Sequence, residues 1–175
     1  HSGITGLGDA VYNKSNVTVI ILDNRATAMT GGQQHPSTGK TLMGKEAGVV
    51  DIEKLVTALG IENFQRLDAY DYNQALKVIK EEMDKPGPSV ILTTRPCVLM
   101  PKRIMDEPYV VDLDLCNGCS ACFRISCPAI AASERTNKHG HPLAVIDETL
   151  CTGCTLCSQI CPEEAIILKS QFVPA

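Results

Sequence analysis

Eight of the nine cysteines fall between positions 116 and 161, in two runs of nearly the same spelling, LCNGCSACFRISCP and LCTGCTLCSQICP. The second spaces Cys151, Cys154, Cys157 and Cys161 as C-x2-C-x2-C-x3-C-P. The first repeats this at Cys116, Cys119, Cys122 and Cys127, with one additional residue before its last cysteine. Three thiolates two residues apart can wrap one cube of iron and sulfide, and in two-cluster proteins of this spacing the fourth cysteine ligates the other cluster. The expected ligand sets are therefore crossed. Cys116, Cys119, Cys122 and Cys161 would hold one 4Fe–4S cluster, and Cys151, Cys154, Cys157 and Cys127 the second. Crossing accounts for the duplication, because neither run completes its own site. Zinc also takes thiolates, but its structural sites favour paired C-x2-C over triplets closed by Cys-Pro. Disulfides fit less well, since cysteines three apart on a tight loop rarely reach bridge geometry and no secretory context is visible.

The extra residue has a consequence for geometry. Phe123–Ser126 puts four residues between Cys122 and Cys127, where the second run has three between Cys157 and Cys161. One added residue in a helical connection rotates the residues after it by about 100°. Cys127 keeps a place on the second cluster only if its turn is wider or bulged.

The elements that must position these residues are read from the rest of the chain. At 175 residues there is room for a domain of about a hundred residues plus a small one. Residues 3–13 place Ile4, Leu7 and Val11 at helical spacing; VTVIILDN from Val17 is next, a buried strand ending in a polar turn. Residues 25–45 read as a long loop, of the kind that is either functional or disordered. A helix is expected over 51–59, with Asp51 as N-cap and Gly60 as stop. A strand near Phe64–Leu67, a helix over 71–84, a KPGP break and the strand SVILTT at 89–94 complete an alternation that calls for an α/β layer with a parallel sheet. Residues 1–95 form this first domain, 96–108 a linker, and 109–175 a small α+β domain built around the cysteine runs.

Composition narrows the function classes. Net charge is −4 and no Lys/Arg block occurs, which argues against a nucleic-acid partner. The longest apolar stretch, Val17–Leu22, has strand length and does not span a membrane. From residue 108 on there are four basic and seven acidic side chains, a mildly acidic face that hints at docking of an electron carrier. A start without Met marks the chain as a fragment or a processed product.

The region 108–170, with all eight cysteines, Pro128 and Pro162, resembles bacterial-type ferredoxin domains with two 4Fe–4S clusters. Upstream, HSGITGL, AVYN and VTVIILDNRATAMTGGQQHPSTGKTLMG resemble the diphosphate-binding domain of thiamine-diphosphate-dependent 2-oxoacid:ferredoxin oxidoreductases. The fusion of the two resembles the α subunits of indolepyruvate ferredoxin oxidoreductases, which share the insertion before the fourth cysteine. This resemblance implies a partial thiamine-diphosphate-binding α/β domain followed by a ferredoxin-like α+β domain. It also implies oxidative decarboxylation of an aryl 2-oxoacid to an acyl-coenzyme A, with single electrons leaving through the clusters to an external ferredoxin. A smaller β subunit and a cytoplasmic location are expected with it. Other 2-oxoacids, or a non-enzymatic electron carrier with an α/β docking domain, are the alternatives.

By the same resemblance, Asn24 supplies a side-chain oxygen and Ala26 a backbone carbonyl to Mg²⁺, and Met29, Thr30 and Gly31 complete the diphosphate side of the cofactor site. The adjacent Gly31 and Gly32 let backbone approach a ligand closely. The Gly-Asp that opens this family's metal motif is absent from the chain, and Asp9 does not replace it. The fragment alone is therefore expected to bind clusters but not thiamine diphosphate, and to be inactive.

Several residues invite a function and receive a plainer reading. STGKT at Ser37–Thr41 lacks the first glycine of a phosphate-binding loop, since position 34 is Gln34. His35 reads as a loop histidine, His1 as a terminal residue, and His139 and His141 as flanks of a surface turn at Gly140. Cys97 reads as a buried structural thiol. Val111, Ile125, Ile130, Val145, Ile160 and Ile166 are the expected apolar packing around the clusters.

Overall fold

The computed structural model describes residues 3–100 and 106–172, and the chain divides into two compact units, 1–103 and 104–175. His1 and residues 101–105 of the expected linker lie outside the described residues.

In the first unit, helix α1 (Ile4–Tyr12) ends where the Asn13 amide and side chain both donate to the carbonyl of Asp9. Strand β1 (Thr18–Asp23), helix α2 (Ile52–Ala58), strand β2 (Asn63–Leu67), helix α3 (Tyr72–Met83) and strand β3 (Ser89–Thr94) come after it. Asp51 and Asp71 cap α2 and α3, their carboxylates accepting from the amides of Lys54 and Gln74 at 3.1 and 2.9 Å. Such caps stabilise a helix by about 1 kcal/mol each. Gly60 stops α2 at φ +92°, where a side chain would be strained.

The sheet is parallel throughout, in the order β1-β3-β2. β3 lies between the other two strands, and its Ser89–Thr93 are all buried, as a continuous apolar run between two partners requires. Leu7, Val56, Ile61 and Val90 form the core on one side, each burial contributing roughly 1.5–3 kcal/mol. The expectation that β1 is a buried strand needs correction. It is an edge strand: Val19 and Ile21 pack on the core, while Ile20 and Leu22 on its other face are 44% and 74% exposed. Strand side chains alternate between faces, and only one face of β1 is covered.

Glu82 near the end of α3 is buried and ties the helix to the sheet. It accepts from Lys85 Nζ at 2.6 Å and from the Ser89 hydroxyl at the start of β3. Burial alone would raise its pKa, but Lys85, Ser89 and Gln65 hold the carboxyl below its usual range.

The second unit repeats one motif about an approximate two-fold. Strand β4 (Tyr109–Val111) precedes the first cysteine run and β5 (Ile130–Thr136) succeeds it; β6 (Pro142–Ile146) precedes the second run and β7 (Ile166–Leu168) succeeds it. β4 pairs antiparallel with β7, and β5 with β6, so each two-stranded sheet takes one strand from each repeat or joins the two. Val111, Ala144, Ile146 and Ile166 are buried together with Cys122, Cys151 and Cys157, and Ile125 and Ile130 pack against them. Ile160 is half-buried. Val145 corrects the expectation made for it: period-two alternation along β6 turns Ala144 and Ile146 inward and leaves Val145 42% exposed.

The described part of the stretch read as linker is anchored at both ends. The Cys97 amide donates to the carbonyl of Asn24 at 2.9 Å, within the first unit; Cys97 is half-buried rather than buried. In the second unit, Lys169 donates to the carbonyl of Pro108, and Ser170 to the carboxylate of Glu107.

Candidate functional site

Each cysteine run begins from an aspartate-anchored turn. The amide of Cys116 donates to the carbonyl of Asp112, and the amide of Cys151 to that of Asp147, both at 3.0 Å. The two aspartate amides reach across to Ala165 and Ala129, each at 2.8 Å, so each run hangs from the segment leaving the other. Both runs then pass through Gly118 and Gly153 at φ +71°, and through Ser120 and Thr155 at φ 63° and 67°. Alternation of right- and left-handed residues turns successive amides to one side of the chain, the backbone form that suits an anion. The short helical turns beyond, a 3-10 turn at Ala121–Ile125 and helix α4 (Leu156–Gln159), carry Cys122 and Cys157.

The glycines were not singled out from sequence, although both runs read C-x-G-C. A Cβ on Gly153 would stand 2.6 Å from Asp106 Cβ and 2.7 Å from the Glu107 carbonyl oxygen, and one on Gly118 3.1 Å from Asn137 Nδ2. Neither loop has room for a side chain there.

The extra residue of the first run shows in the short helical turn, five residues at Ala121–Ile125 against four at Leu156–Gln159, and in the residue that caps it. Ser126, just before Cys127, is left-handed at φ 54°, whereas Ile160, just before Cys161, is right-handed at φ −101°. The first turn is widened there by a residue outside helical geometry.

Proximity divides the eight thiols into two groups. Burial raises the pKa of the Cys122 thiol, and the nearby thiols of Cys116, Cys119 and Cys161 raise it further. Burial pushes Cys157 up to about 12, with Cys154, Cys151 and Cys127 adding to the effect. Cys116, Cys119, Cys122 and Cys161 also line one cavity, whose apolar walls include Val111, Ala144 and Ile166. Among the described residues no three His, Cys, Asp or Glu side chains converge on a point for a single ion. All nine cysteines are free thiols. Four soft donors around one apolar-walled cavity, with a second four in mutual proximity, fit two 4Fe–4S clusters.

Two further contacts had no clear signal in the sequence. Asn117 Oδ1 accepts from the Cys119 amide at 2.9 Å while its Nδ2 donates to Glu163 at 2.8 Å, fastening the first triplet to the segment after Cys161. The second run has Thr152 at that position. The Tyr109 amide donates to Cys151 Sγ at 3.4 Å. A backbone donor leaves no trace in residue type.

In the first unit the ends of β1, β2 and β3 form the carboxyl edge of a parallel sheet, the usual place for a ligand. Asn24 stands there, its Oδ1 accepting from the Ala26 amide at 3.2 Å and keeping a second lone pair. Asp23 is buried and engaged by Arg25, through the amide at 3.1 Å and Nε at 3.4 Å. Arg95, after β3, donates from Nε to Asp68 at 2.7 Å and lies 4.4 Å from the Tyr70 ring centroid. This guanidinium holds the Asp68 carboxyl below its ordinary pKa. The pair was not anticipated from sequence.

Ala26 is buried, while Met29, Thr30 and Gly31 are on the turn that Thr27 and Gln33 close, all three exposed. A carboxamide oxygen and a carbonyl oxygen are hard donors of the type Mg²⁺ takes, so Asn24 and Ala26 fit part of a diphosphate–metal site. His35 is occupied locally, its Nδ1 accepting from the Ser37 amide at 3.3 Å. His139 and His141 sit on the turn at Gly140, both amides donating to Asn137 Oδ1.

Comparison with known proteins gives matches over both units. Residues 1–92 match the family model of the thiamine pyrophosphate enzyme, C-terminal TPP binding domain, and residues 115–165 that of the 4Fe-4S dicluster domain. The chain is 38% identical over 174 residues to the indolepyruvate oxidoreductase subunit IorA of Thermococcus kodakarensis, covering 94% of this chain and 26% of that protein. With IorA of Methanothermobacter thermautotrophicus it is 35% identical over 167 residues, or 95% of this chain and 26% of that one. The chain thus spans about a quarter of the length of these relatives. Among solved structures, a 2-oxoglutarate:ferredoxin oxidoreductase from Magnetococcus marinus superposes with a TM-score of 0.52 at 18% identity, over 57% of this chain and 36% of that one. The fold class is the expected one, an α/β thiamine-diphosphate-binding unit followed by a small iron–sulfur unit. No helix among the described residues is long and apolar enough to cross a membrane.

Proposed function

Because the chain belongs, through residues 1–92, to the thiamine pyrophosphate enzymes in their C-terminal TPP binding domain, we propose that it is the cofactor-carrying end of a 2-oxoacid:ferredoxin oxidoreductase acting on arylpyruvates, indolepyruvate foremost. The observation that carries this reading is the fusion itself: a thiamine-diphosphate-binding domain joined to a dicluster domain with eight cysteines in two runs. Thiamine diphosphate, when bound, supplies the electron sink for decarboxylation of a 2-oxoacid.

The contribution of this chain is derived from its own residues. Asn24 Oδ1 and the carbonyl of Ala26 are offered to Mg²⁺ at the cofactor's diphosphate, and the turn Met29–Gly31 lies along the same loop. The ion pair of Asp23 with Arg25, and that of Asp68 with Arg95, stiffen the strand ends on which that loop is mounted. In the second unit, Cys116, Cys119, Cys122 and Cys161 would hold one cluster, and Cys151, Cys154, Cys157 and Cys127 the other. Val111, Ala144, Ile146 and Ile166 keep water from Cys122, Cys151 and Cys157. Two one-electron carriers suit a two-electron oxidation whose electrons must leave singly.

Coenzyme A as acyl acceptor, an external ferredoxin as electron acceptor and a smaller β subunit complete the proposed enzyme. The relatives are themselves named as subunits. Nine free thiols suit a reducing cytoplasm. The test is turnover by the full-length protein with its β subunit, ferredoxin and coenzyme A on a panel of 2-oxoacids. Thiamine-dependent oxidation with indolepyruvate preferred is expected. Preference for pyruvate or 2-oxoglutarate overturns the substrate, and cluster reduction without thiamine-dependent turnover overturns the enzyme.

A further inference from the structure

The two expected clusters do not sit in equal surroundings. One thiolate of the first set, Cys119, is exposed, and only Cys122 of that set is buried. In the second set both Cys151 and Cys157 are buried. Onto Cys151 falls the N–H···S contact from Tyr109, 3.4 Å from amide nitrogen to sulfur.

The strand pairing explains why that amide is available. The bonds from Asp112 N–H to the Ala165 carbonyl, and from Lys169 N–H to the Pro108 carbonyl, mark the hydrogen-bonded positions of the β4–β7 ladder. Tyr109 pairs with Leu168 at a position between them, so its amide points off the ladder. That amide takes no bond from the sheet and serves the sulfur alone. The Tyr109 side chain packs against the core cluster that contains Cys151, which limits water at the same sulfur.

We propose that Tyr109 is a tuning residue, whose backbone N–H to Cys151 Sγ raises the potential of the cluster held by Cys127, Cys151, Cys154 and Cys157 while leaving the other cluster untouched. The inference rests on the crossed cluster reading. Reduction adds one electron to a cluster with no bond made or broken, and a donor on a ligating sulfur stabilises that added negative charge. Tyr109 acts through the sulfur and is not itself a redox group.

Tyr109→Pro removes this N–H and no ladder bond, at an edge where proline is tolerated. Tyr109→Phe keeps the N–H. The experiment is a redox titration of the reconstituted 175-residue chain monitored by EPR, with Cys154→Ser used to mark which signal belongs to the second set. Tyr109→Pro is expected to move that cluster alone to more negative potential, and Tyr109→Phe to move neither.

A second measurement needs no substitution. Tyr109 is the one tyrosine between residues 104 and 175, the others being Tyr12, Tyr70 and Tyr72. In protein labelled with nitrogen-15 tyrosine, pulsed EPR of the reduced clusters is expected to show nitrogen coupling on the second cluster only, and it decides the matter if Tyr109→Pro does not fold. Both clusters present with no coupling and unmoved potentials would overturn the role of Tyr109. Failure of the unsubstituted chain to take up clusters would instead strike the reading on which it rests.

Discussion

Ser126 stands in the left-handed region at φ 54° where Ile160, at the same place in the second repeat, is right-handed at φ −101°. This pair locates the difference between two otherwise matching loops. The added residue lengthens the short helical turn from the four residues of Leu156–Gln159 to the five of Ala121–Ile125 and gives it a left-handed end, and Cys127 keeps the company of Cys151, Cys154 and Cys157. Left-handed geometry costs a non-glycine residue roughly 1–2 kcal/mol, and more when it is β-branched. Ser126→Val should therefore lower the stability of the cluster-loaded unit by about 1–2 kcal/mol, whereas Ser126→Gly should leave it level or raise it. Denaturant unfolding monitored by the visible absorption of the clusters checks both. Equal effects of the two substitutions would mean that the backbone conformation at 126 is not what matters.

Gly118 and Gly153 occupy equivalent places but not equally crowded ones. Gly153→Ala forces a Cβ to 2.7 Å from the Glu107 carbonyl oxygen, while Gly118→Ala meets Asn137 Nδ2 at 3.1 Å and the carbonyl oxygens of His141 and Pro142 at 3.3 Å. Both are strained by positive φ, and both press on backbone, the first by the larger amount. Gly153→Ala is expected to lose iron faster than Gly118→Ala when chelator is added to the loaded protein. The reverse order would contradict the packing described.

Acidity of the thiols gives a pH dependence for the metal-free unit. Cys157 rises from 9.0 to about 12 on folding, so the folded state holds its proton more tightly than the unfolded state does. Its contribution is therefore complete below pH 9 and is lost as pH climbs toward 12. Urea midpoints of metal-free protein should fall across that interval. Cluster assembly demands thiolates and so should release protons, with faster loading at mildly alkaline pH. A metal-free midpoint that rises over the same interval would refute the burial of Cys157.

Glu82 offers a test confined to the first unit. Glu82→Ala leaves the buried hydroxyl of Ser89 without its acceptor, a loss of about 1–3 kcal/mol. Denaturation monitored by far-ultraviolet circular dichroism should shift by that amount. The visible spectrum of the clusters should not change, because Glu82 and the cysteine runs belong to different units.

The sequence was most readable where local chemistry alone decides. Asp51 and Asp71 cap the helices they announce, Gly60 ends one, and SVILTT is the buried middle strand because a run without polar alternation must be covered on both faces. The cysteine runs were readable because ligand spacing is itself local. VTVIIL misled as to burial, since an apolar run does not say whether both faces of its strand will be covered; Ile20 and Leu22 remain exposed on the uncovered face. Val145 misled for a related reason. Which of two neighbouring residues faces inward depends on the register with β5, and that register is fixed by the Asp147 amide meeting the Ala129 carbonyl across the repeat. Contacts through backbone atoms, such as Tyr109 on Cys151 or Cys97 on Asn24, depend on the fold and not on the letters.

The crossed arrangement of the thiolates is the claim on which the rest depends, and one measurement reaches it directly. The reconstituted chain and its Cys127→Ser and Cys161→Ser variants are reduced and compared by EPR, with Cys119→Ser and Cys154→Ser marking the two clusters. Cys127→Ser should alter the signal that Cys154→Ser alters, and Cys161→Ser the signal that Cys119→Ser alters. If Cys127→Ser instead disturbs the cluster marked by Cys119→Ser, each run completes its own site and the crossed account is wrong.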